Sequence, residues 1–364
     1  MNKKRAIVYG LVLAVLAALV YLQFRQWRNF DWGRFLEHSR DITWRHVIHG
    51  IVLTYVAYLL RAIRWKIFLR PVRKDASTLA LLPATIVGFT GLALLGRPGE
   101  LMRPYLIARR MDLSVSSQFA VWVVERVFDL GAFTTLMVSA IFLPTKLRAF
   151  AEANPQPVDF HLLRLHLVLP LLTAIGYGLA IVLFCFLSAT ILVNYKGLAI
   201  AQWVEGRFSH LGKNLGHRIA QRIREFADGL NTIHGPGSFL QLAAVSLLMW
   251  WLIALSYKEV THAYGAPMQH MDVTKVLLLM GASMVGSMVQ LPVVGGGTQL
   301  ATSDMLAGVF SIPPELALSC GILLWLVSFM AIVPVGLLLA HRERLSLRKV
   351  AEESEKAEAE ENST

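Results

Sequence analysis

"LALLGRPGELMRPYLIARR", Leu92 to Arg110, sets two prolines, two glycines, a glutamate and four arginines directly against an apolar run that begins near Ser77. If Ser77 to Gly96 crossed a membrane, Arg97, Arg103, Arg109 and Arg110 would lie on the far side from the basic cluster "RAIRWKIFLRPVRK" (Arg61–Lys74) just before it. Lys and Arg close to a bilayer stay on one side of it. A re-entrant hairpin, entering and leaving on the same face, keeps both clusters together, and glycine and proline supply the break it needs.

The rest of the chain supports a membrane setting. Of 364 residues, 55% are hydrophobic and only 16% charged, against about a quarter charged in soluble domains, and the mean hydropathy is +0.53. Apolar stretches recur at Ala6–Phe24, Val47–Leu60, Phe119–Leu143, Leu167–Val193, Phe239–Ala263 and Ala317–Ala340. Each approaches the roughly twenty residues a spanning helix requires. The first follows Lys3, Lys4 and Arg5 without a small-residue cleavage site, so it reads as a retained helix. The net charge of +11 is spread beside the spans and forms no soluble stripe, which favours anionic headgroups over nucleic acid as its counter-charge. Cys185 and Cys320 lie in apolar runs without disulfide or metal spacing.

Following the basic loops from a cytoplasmic N-terminus gives span, span, hairpin, span, and then the same order again from the opposite side. The second interrupted stretch is "VLLLMGASMVGSMVQLPVVGGGTQLATSDMLAGVF", Val276–Phe310. Val87-Gly88 recurs in it as Val285-Gly286, and "LLGRPGEL" lies on "VVGGGTQL", pairing Gly96 with Gly295 and Leu101 with Leu300. The expected fold is therefore an all-α polytopic membrane protein of about six spans plus two broken-helix hairpins, arranged as an inverted-topology repeat. Its domain covers residues 1–346, with halves at 6–145 and 163–341. An amphipathic cytoplasmic helix is expected at 203–233, where Val204, Phe208, Leu211, Leu215 and Ile219 recur at helical steps. Both termini are expected in the cytoplasm, and the acidic end, 347–364, reads as a disordered tail. One loop opposes the charge rule, since Arg25, Arg28, Arg34, Arg40 and Arg45 fall outside; its Trp27, Trp32 and Trp44 suit an interfacial segment.

Paired broken helices at corresponding places in two halves point to a transport site, because irregular backbone persists at depth only when buried or lining a cavity. Within the third span, Glu125, Arg126 and Asp129 are costly unless paired or facing water. Two readings stand: a site that orients cations or takes up a proton, and an internal Arg-carboxylate clasp. Arg61, Arg64, Arg97 and Arg103 offer bidentate donors to a phosphate, although charge topology alone accounts for any one of them. Glu100 between Arg97 and Arg103 goes beyond charge topology. In the second hairpin Gly295, Gly296 and Gly297 allow close backbone approach, and Gln299 offers a neutral hydrogen bond. There is no H-E-x-x-H, Walker A loop, G-x-S-x-G elbow or D-x-D pair, so no metal, no cofactor and no catalytic residue is expected.

"GRPGELMRPYL" followed by "VVERVFD" resembles the signature of the lysylphosphatidylglycerol synthase transmembrane-region family, the flippase-like domain proteins, over roughly Ala6–Ala340. Arg97, Gly99, Glu100 and Arg103 match its first hairpin, Glu125 and Arg126 its E-R pair, and Arg61 and Trp65 the end of its second span. Leu95 replaces the family's early proline, and "LPVVGGGTQLA" has Val294 for a proline and Gln299 where many members carry a glutamate. The resemblance implies a stand-alone member without the soluble synthase, moving an anionic, aminoacylated or polyprenyl-linked lipid across the cytoplasmic membrane. The alternative is a non-transporting subunit that presents a lipid carrier to a separate lipid-modifying enzyme. Such an enzyme and a second copy of the chain are the candidate protein partners.

Overall fold

A computed structural model of the chain describes residues 31–142, 158–160, 165–167, 235–266, 268–287, 290–291, 295–343 and 345–363. The first span, the fourth span and the amphipathic helix expected at 203–233 lie outside the described residues. What is described is an all-α polytopic membrane architecture, broken by two short antiparallel strand pairs, β1 (Val158–Phe160) with β2 (Leu165–Leu167) and β3 (Gln290–Leu291) with β4 (Gly295–Gly296). Among the described residues, four stretches are long and apolar enough to cross a membrane: Trp44–Leu69, Thr78–Leu95, Gly237–His262 and Pro314–Arg342.

A short helix, α1 (Trp32–Arg40), is capped by Asp31, whose carboxylate accepts from the Arg34 amide. It leads into α2 (Trp44–Leu69), which is 26 residues long, or about 39 Å at 1.5 Å per residue. The apolar run had suggested an end at Leu60. The helix continues through Arg61 and Arg64 because both find carboxylates on α5 (Val115–Phe142). α5 runs antiparallel to α2: Trp65 meets Gln118, and Arg61 and Arg64 meet Asp129. The third long helix, α6 (Gly235–His262), is also antiparallel to α2, bonding Arg70 through Gln241 at one end and His46 through Glu259 at the other. Small residues let α2 and α6 touch: the Ser256 hydroxyl donates to Gly50 O at 2.8 Å, and Thr54 packs beside it.

At the Leu69 end of α2 the chain enters α3 (Thr78–Leu95), capped by Ser77. Gly96 ends α3 at φ 72°, a left-handed backbone that a side chain would strain. A 3-10 turn, Arg97–Leu101, then reverses the chain into α4 (Met102–Met111), which runs back along α3. This crossing is tight: a Cβ on Gly88 would lie 2.5 Å from Arg103 Cβ, and one on Gly99 would lie 2.2 Å from the Gly91 carbonyl.

The second interrupted stretch is built likewise. α7 (Val273–Ser287) leads through β3 and β4 to α8 (Gly297–Asp304), a π-turn over Met305–Val309, and α9 (Pro314–Trp325). A second π-turn, Leu326–Met330, joins α9 to α10 (Val333–Arg342). α7 and α8 meet at Gly286, where a Cβ would lie 2.3 Å from Gly297 O. Gly88 and Gly286, paired in the sequence, thus both mark the crossing of an entering helix with its return arm.

The two broken-helix units occupy opposite ends of the bundle. The first shares a core with Ala62–Leu69 of α2 and Val121–Phe128 of α5. The second shares another core with Val47 and Ala57 of α2 and with Ala132 and Met137 of α5. α9 and α10 run parallel to α2, from Ser319 beside Ser39 to Gly336 against Thr90.

The end of the chain corrects the expectation of a disordered tail. Residues Leu347–Ser363 form α11, with Val350, Ala351 and Ser354 buried against the first unit. Its small apolar stripe finds a seat on α4, which composition by itself does not disclose.

Candidate functional site

Three helices bring six charged side chains to one depth in the bundle. Arg64 is fully buried, and its guanidinium holds both acids of α5. Its Nη2 donates to Glu125 Oε1 at 2.5 Å, and its Nη1 donates to Asp129 Oδ1 at 2.7 Å. The i,i+4 spacing that puts Glu125 and Asp129 on one helix face makes this double grip possible. From α6, Ser246 Oγ accepts from Arg64 Nη1 at 2.9 Å and Trp250 Nε1 donates to Asp129 Oδ1 at 3.1 Å. No sequence signal marks Ser246 or Trp250, whose partners lie more than a hundred residues away.

Arg103 reaches the same carboxylate from the return arm. Its Nη1 donates to Glu125 Oε1 at 2.9 Å, and its Nη2 bonds Glu125 Oε2. The guanidinium lies 4.6 Å from the centre of the Trp65 ring and 4.9 Å from that of Phe89, and Arg61 stacks on Phe89 at 4.7 Å. Cations over aromatic faces gain electrostatic attraction while remaining dehydrated. Arg61 is 3.8 Å from Asp129 Oδ2. Arg126 approaches Asp129 Oδ2 at 3.3 Å and Glu125 Oε2 at 3.7 Å, yet its side chain is 43% exposed while that of Glu125 is 0%.

Four guanidinium groups therefore share two carboxylates, which leaves the cluster with an excess of positive charge. Beside it opens a small cleft, with a cavity volume of about 20 Å³, lined by Gly88, Phe89, Leu92, Glu100, Arg103, Trp122 and Arg126. Both readings of Glu125, Arg126 and Asp129 find a place here. Arg64, Glu125 and Asp129 form the clasp, and Arg126 and Arg103 present what remains of the cluster to the cleft. Arg61, Arg64 and Arg103 turn inward and do not scatter over the surface.

The other expected residues divide. Glu100, in the 3-10 turn, lines the cleft. Arg97 opens that turn, and its side chain lies outside the described residues. Gly99 serves packing, since the Gly91 backbone fills the space a side chain would need. At the second unit, Gln299 spends its Oε1 on the Gly296 amide at 2.6 Å, closing the start of α8. Gly296 takes φ 103°, and Gly297 packs on Gly286. Gly295 forms half of the β3–β4 pairing. Under the pairing of Leu101 with Leu300, the place of Arg103 is taken by Thr302, buried and bonded to Thr298 O and Gln299 O.

Residues Gly295 to Gln299 contribute nothing to the lining of the arginine cleft. Among the described residues, the lining of this cleft comes from the first unit and α5. The reason lies in α5: the first unit packs beside Glu125, whereas Gly281 of the second meets Phe133 and Met137. Eight to twelve residues along a helix separate them by roughly 12–18 Å. At the Trp44 end, the His46 Nδ1 lies 2.7 Å from Glu259 Oε2 and His49 Nδ1 lies 3.5 Å from it, a cluster far from the arginines. Among the described residues, no group of His, Cys, Asp or Glu is arranged to hold a metal ion.

A sequence model described as "Lysylphosphatidylglycerol synthase TM region" matches residues 7–336. A protein of Methanothermobacter thermautotrophicus described as "UPF0104 membrane protein" is 24% identical over 349 residues, covering 92% of this chain and 94% of its own length. No solved structure matches the chain.

Proposed function

The chain belongs to the lysylphosphatidylglycerol synthase transmembrane-region family, and from that premise we propose that it moves an anionic lipid headgroup across the cytoplasmic membrane. The headgroup sits in the cleft between α3 and α5. The observation that carries this reading is the positive excess at the cleft wall: Arg103 and Arg126 face it while Arg64 is consumed by Glu125 and Asp129. A guanidinium matches a phosphate bidentately, and Arg126 is exposed enough to exchange Asp129 for one. Glu100 on the opposite wall keeps the cleft polar. Phe89, Leu92 and Trp122 supply apolar lining for the glycerol or polyprenyl portion.

The two broken-helix units at opposite ends of α2 suit an inverted repeat whose halves alternate in exposing the site, with both termini on the cytoplasmic side. Aminoacylated and polyprenyl-linked phospholipids are the candidate substrates.

The test is reconstitution into proteoliposomes carrying headgroup-labelled lipids of several classes. Crossing should be faster than in protein-free vesicles for at least one anionic class, and Arg126→Gln should abolish the difference while leaving folded protein in the membrane. Crossing at the protein-free rate for every class sinks the translocator reading. Binding without crossing would instead favour the alternative, a subunit that presents a lipid carrier to a separate transferase.

A further inference from the structure

Helix α11 plays no part in that site, yet it is fastened to the element that carries Arg103. Val350 and Ala351 share a core with Met102, Leu106 and Ile107, and Ser354 is fully buried. Polar ties reinforce this seat. Tyr105 donates its hydroxyl hydrogen to Glu353 Oε2 at 2.7 Å, and Arg109 Nη1 lies 3.6 Å from the same oxygen. Arg109 also sits over the Tyr105 ring at 5.8 Å, and Arg110 Nη1 donates to Glu343 Oε1 at 2.6 Å. Arg348 with Glu352 and Lys349 with Glu353 pair at i,i+4 spacing along α11 itself.

We propose that α11 is a strap that holds the first broken-helix unit closed, and that an anionic membrane surface loosens it. Of the outward pair of α4, Arg109, 60% exposed, is held by Glu353 of α11, and Arg110, 36% exposed, by Glu343 at the end of α10, which leads into α11. Pairs this exposed are weak and salt-sensitive. A basic residue at the surface of an anionic leaflet gains attraction of similar size from the headgroups. The exposed side of α11 carries both signs of charge, Arg348, Lys349 and Lys356 beside Glu352 and Glu355, so the leaflet acts on the strap chiefly through the arginines of α4. The lipid thus competes with Glu353 for Arg109 and with Glu343 for Arg110. The apolar seat is modest, Val350 and Ala351 with the half-buried Leu347 beside them, so the ion pairs contribute to the balance. Once α11 lifts, α4 and the turn bearing Glu100 lose their outer support and can shift against α3.

The strap is a conformational claim that stands without transport; only its consequence for crossing rests on the proposed function. Full-length protein in nanodiscs of phosphatidylcholine and in nanodiscs containing phosphatidylglycerol would be compared by amide hydrogen exchange over residues 347–357. Exchange should be about tenfold faster with phosphatidylglycerol, as expected when local opening becomes easier by a modest free energy. The double variant E343Q/E353Q should exchange fast in both lipids, and Tyr105→Phe should raise exchange in phosphatidylcholine. Equal protection of the wild type in both lipids overturns the strap, as does a double variant that stays protected. If the lipid dependence holds but no headgroup crosses in proteoliposomes, the strap survives and the translocator reading falls.

Discussion

The clasp and the site occupy the same cluster, and Arg64→Met against Arg126→Met separates them. Arg64 is fully buried and donates to Glu125 Oε1 and Asp129 Oδ1. Methionine fills much of its volume but leaves those two carboxylates to Arg103, Arg61 and Arg126 alone, with Ser246 Oγ losing its donor as well. Breaking a buried ion pair by removing one partner costs about 3–5 kcal/mol, because the remaining charge is uncompensated in a poorly polarisable surrounding. Here the second carboxylate adds to that cost, whereas Arg103 on Glu125 offsets part of it, so the middle of that range is expected. A shift of this size changes the folding equilibrium by roughly three powers of ten.

Arg126 differs in one respect that decides the outcome. Its side chain is 43% exposed and its distances to the carboxylates are 3.3 and 3.7 Å. Pairs open to water are worth about 0–1 kcal/mol, so Arg126→Met should leave stability within about 1 kcal/mol of the wild type. Equilibrium unfolding in mixed micelles by added sodium dodecyl sulfate measures both variants, and binding of a fluorescent anionic lipid measures the cleft. Arg64→Met should lose stability, and Arg126→Met should keep stability and lose binding. If Arg64→Met unfolds at the wild-type midpoint, or Arg126→Met is destabilised as much as Arg64→Met, the division between clasp and site is wrong.

Three further outcomes follow from close contacts. Gly99→Ala places a methyl 2.2 Å from the Gly91 carbonyl, and since backbone faces it on that side, a cost of about 1–3 kcal/mol from overpacking is expected in the same unfolding assay; a neutral result would show that the turn does not lie against α3. Trp250→Phe keeps a ring beside Phe133 but deletes the bond from Nε1 to Asp129, for which about 1.5–3 kcal/mol is expected with a charged acceptor. Trp65→Phe loses the bond to Gln118 at 2.9 Å yet keeps an aromatic face for Arg103, so it should cost about 1 kcal/mol, while Trp65→Leu should cost a further 0.5–2 kcal/mol, or about that much, by removing the cation–π contact. Equal midpoints for the two Trp65 variants would count against that contact.

Spans were legible where apolar runs are long: among the described residues the runs beginning near Val47, Phe239 and Ala317 fall on stretches able to cross a membrane, whereas the run beginning near Phe119 lies in α5, whose Glu125, Arg126 and Asp129 set it apart from them, and α3, expected as a hairpin arm, is long and apolar enough to cross. Their ends were less legible wherever charge continued inside the helix, as at Arg61 and Arg64, since pairing across helices cannot be read from one strand of sequence. The Gly88 and Gly286 match, short as it is, corresponds to two helix crossings of the same kind. The seat of α11 was hidden for another reason. Its buried stripe, Leu347, Val350, Ala351 and Ser354, covers only two turns and is set among charges, and its polar partners Tyr105 and Arg109 stand far away in the chain.

Charge topology accounts for which end of the bundle the arginines occupy, and it says nothing about their depth. Arg109 and Arg110 obey it in the ordinary way, exposed at the end of α4. Arg61, Arg64 and Arg103 turn inward instead, at the desolvation cost that burial of a cation carries. Two acids balance only part of that charge, and further acids on α5 would have balanced all of it. A cluster serving stability alone gains nothing from keeping the excess, because replacing unbalanced buried ions by apolar residues is neutral or favourable. Under the proposed function the positive charge left over, with Glu100 of the cleft offsetting part of it, is completed by an anionic ligand reaching Arg103 and Arg126 through the cleft.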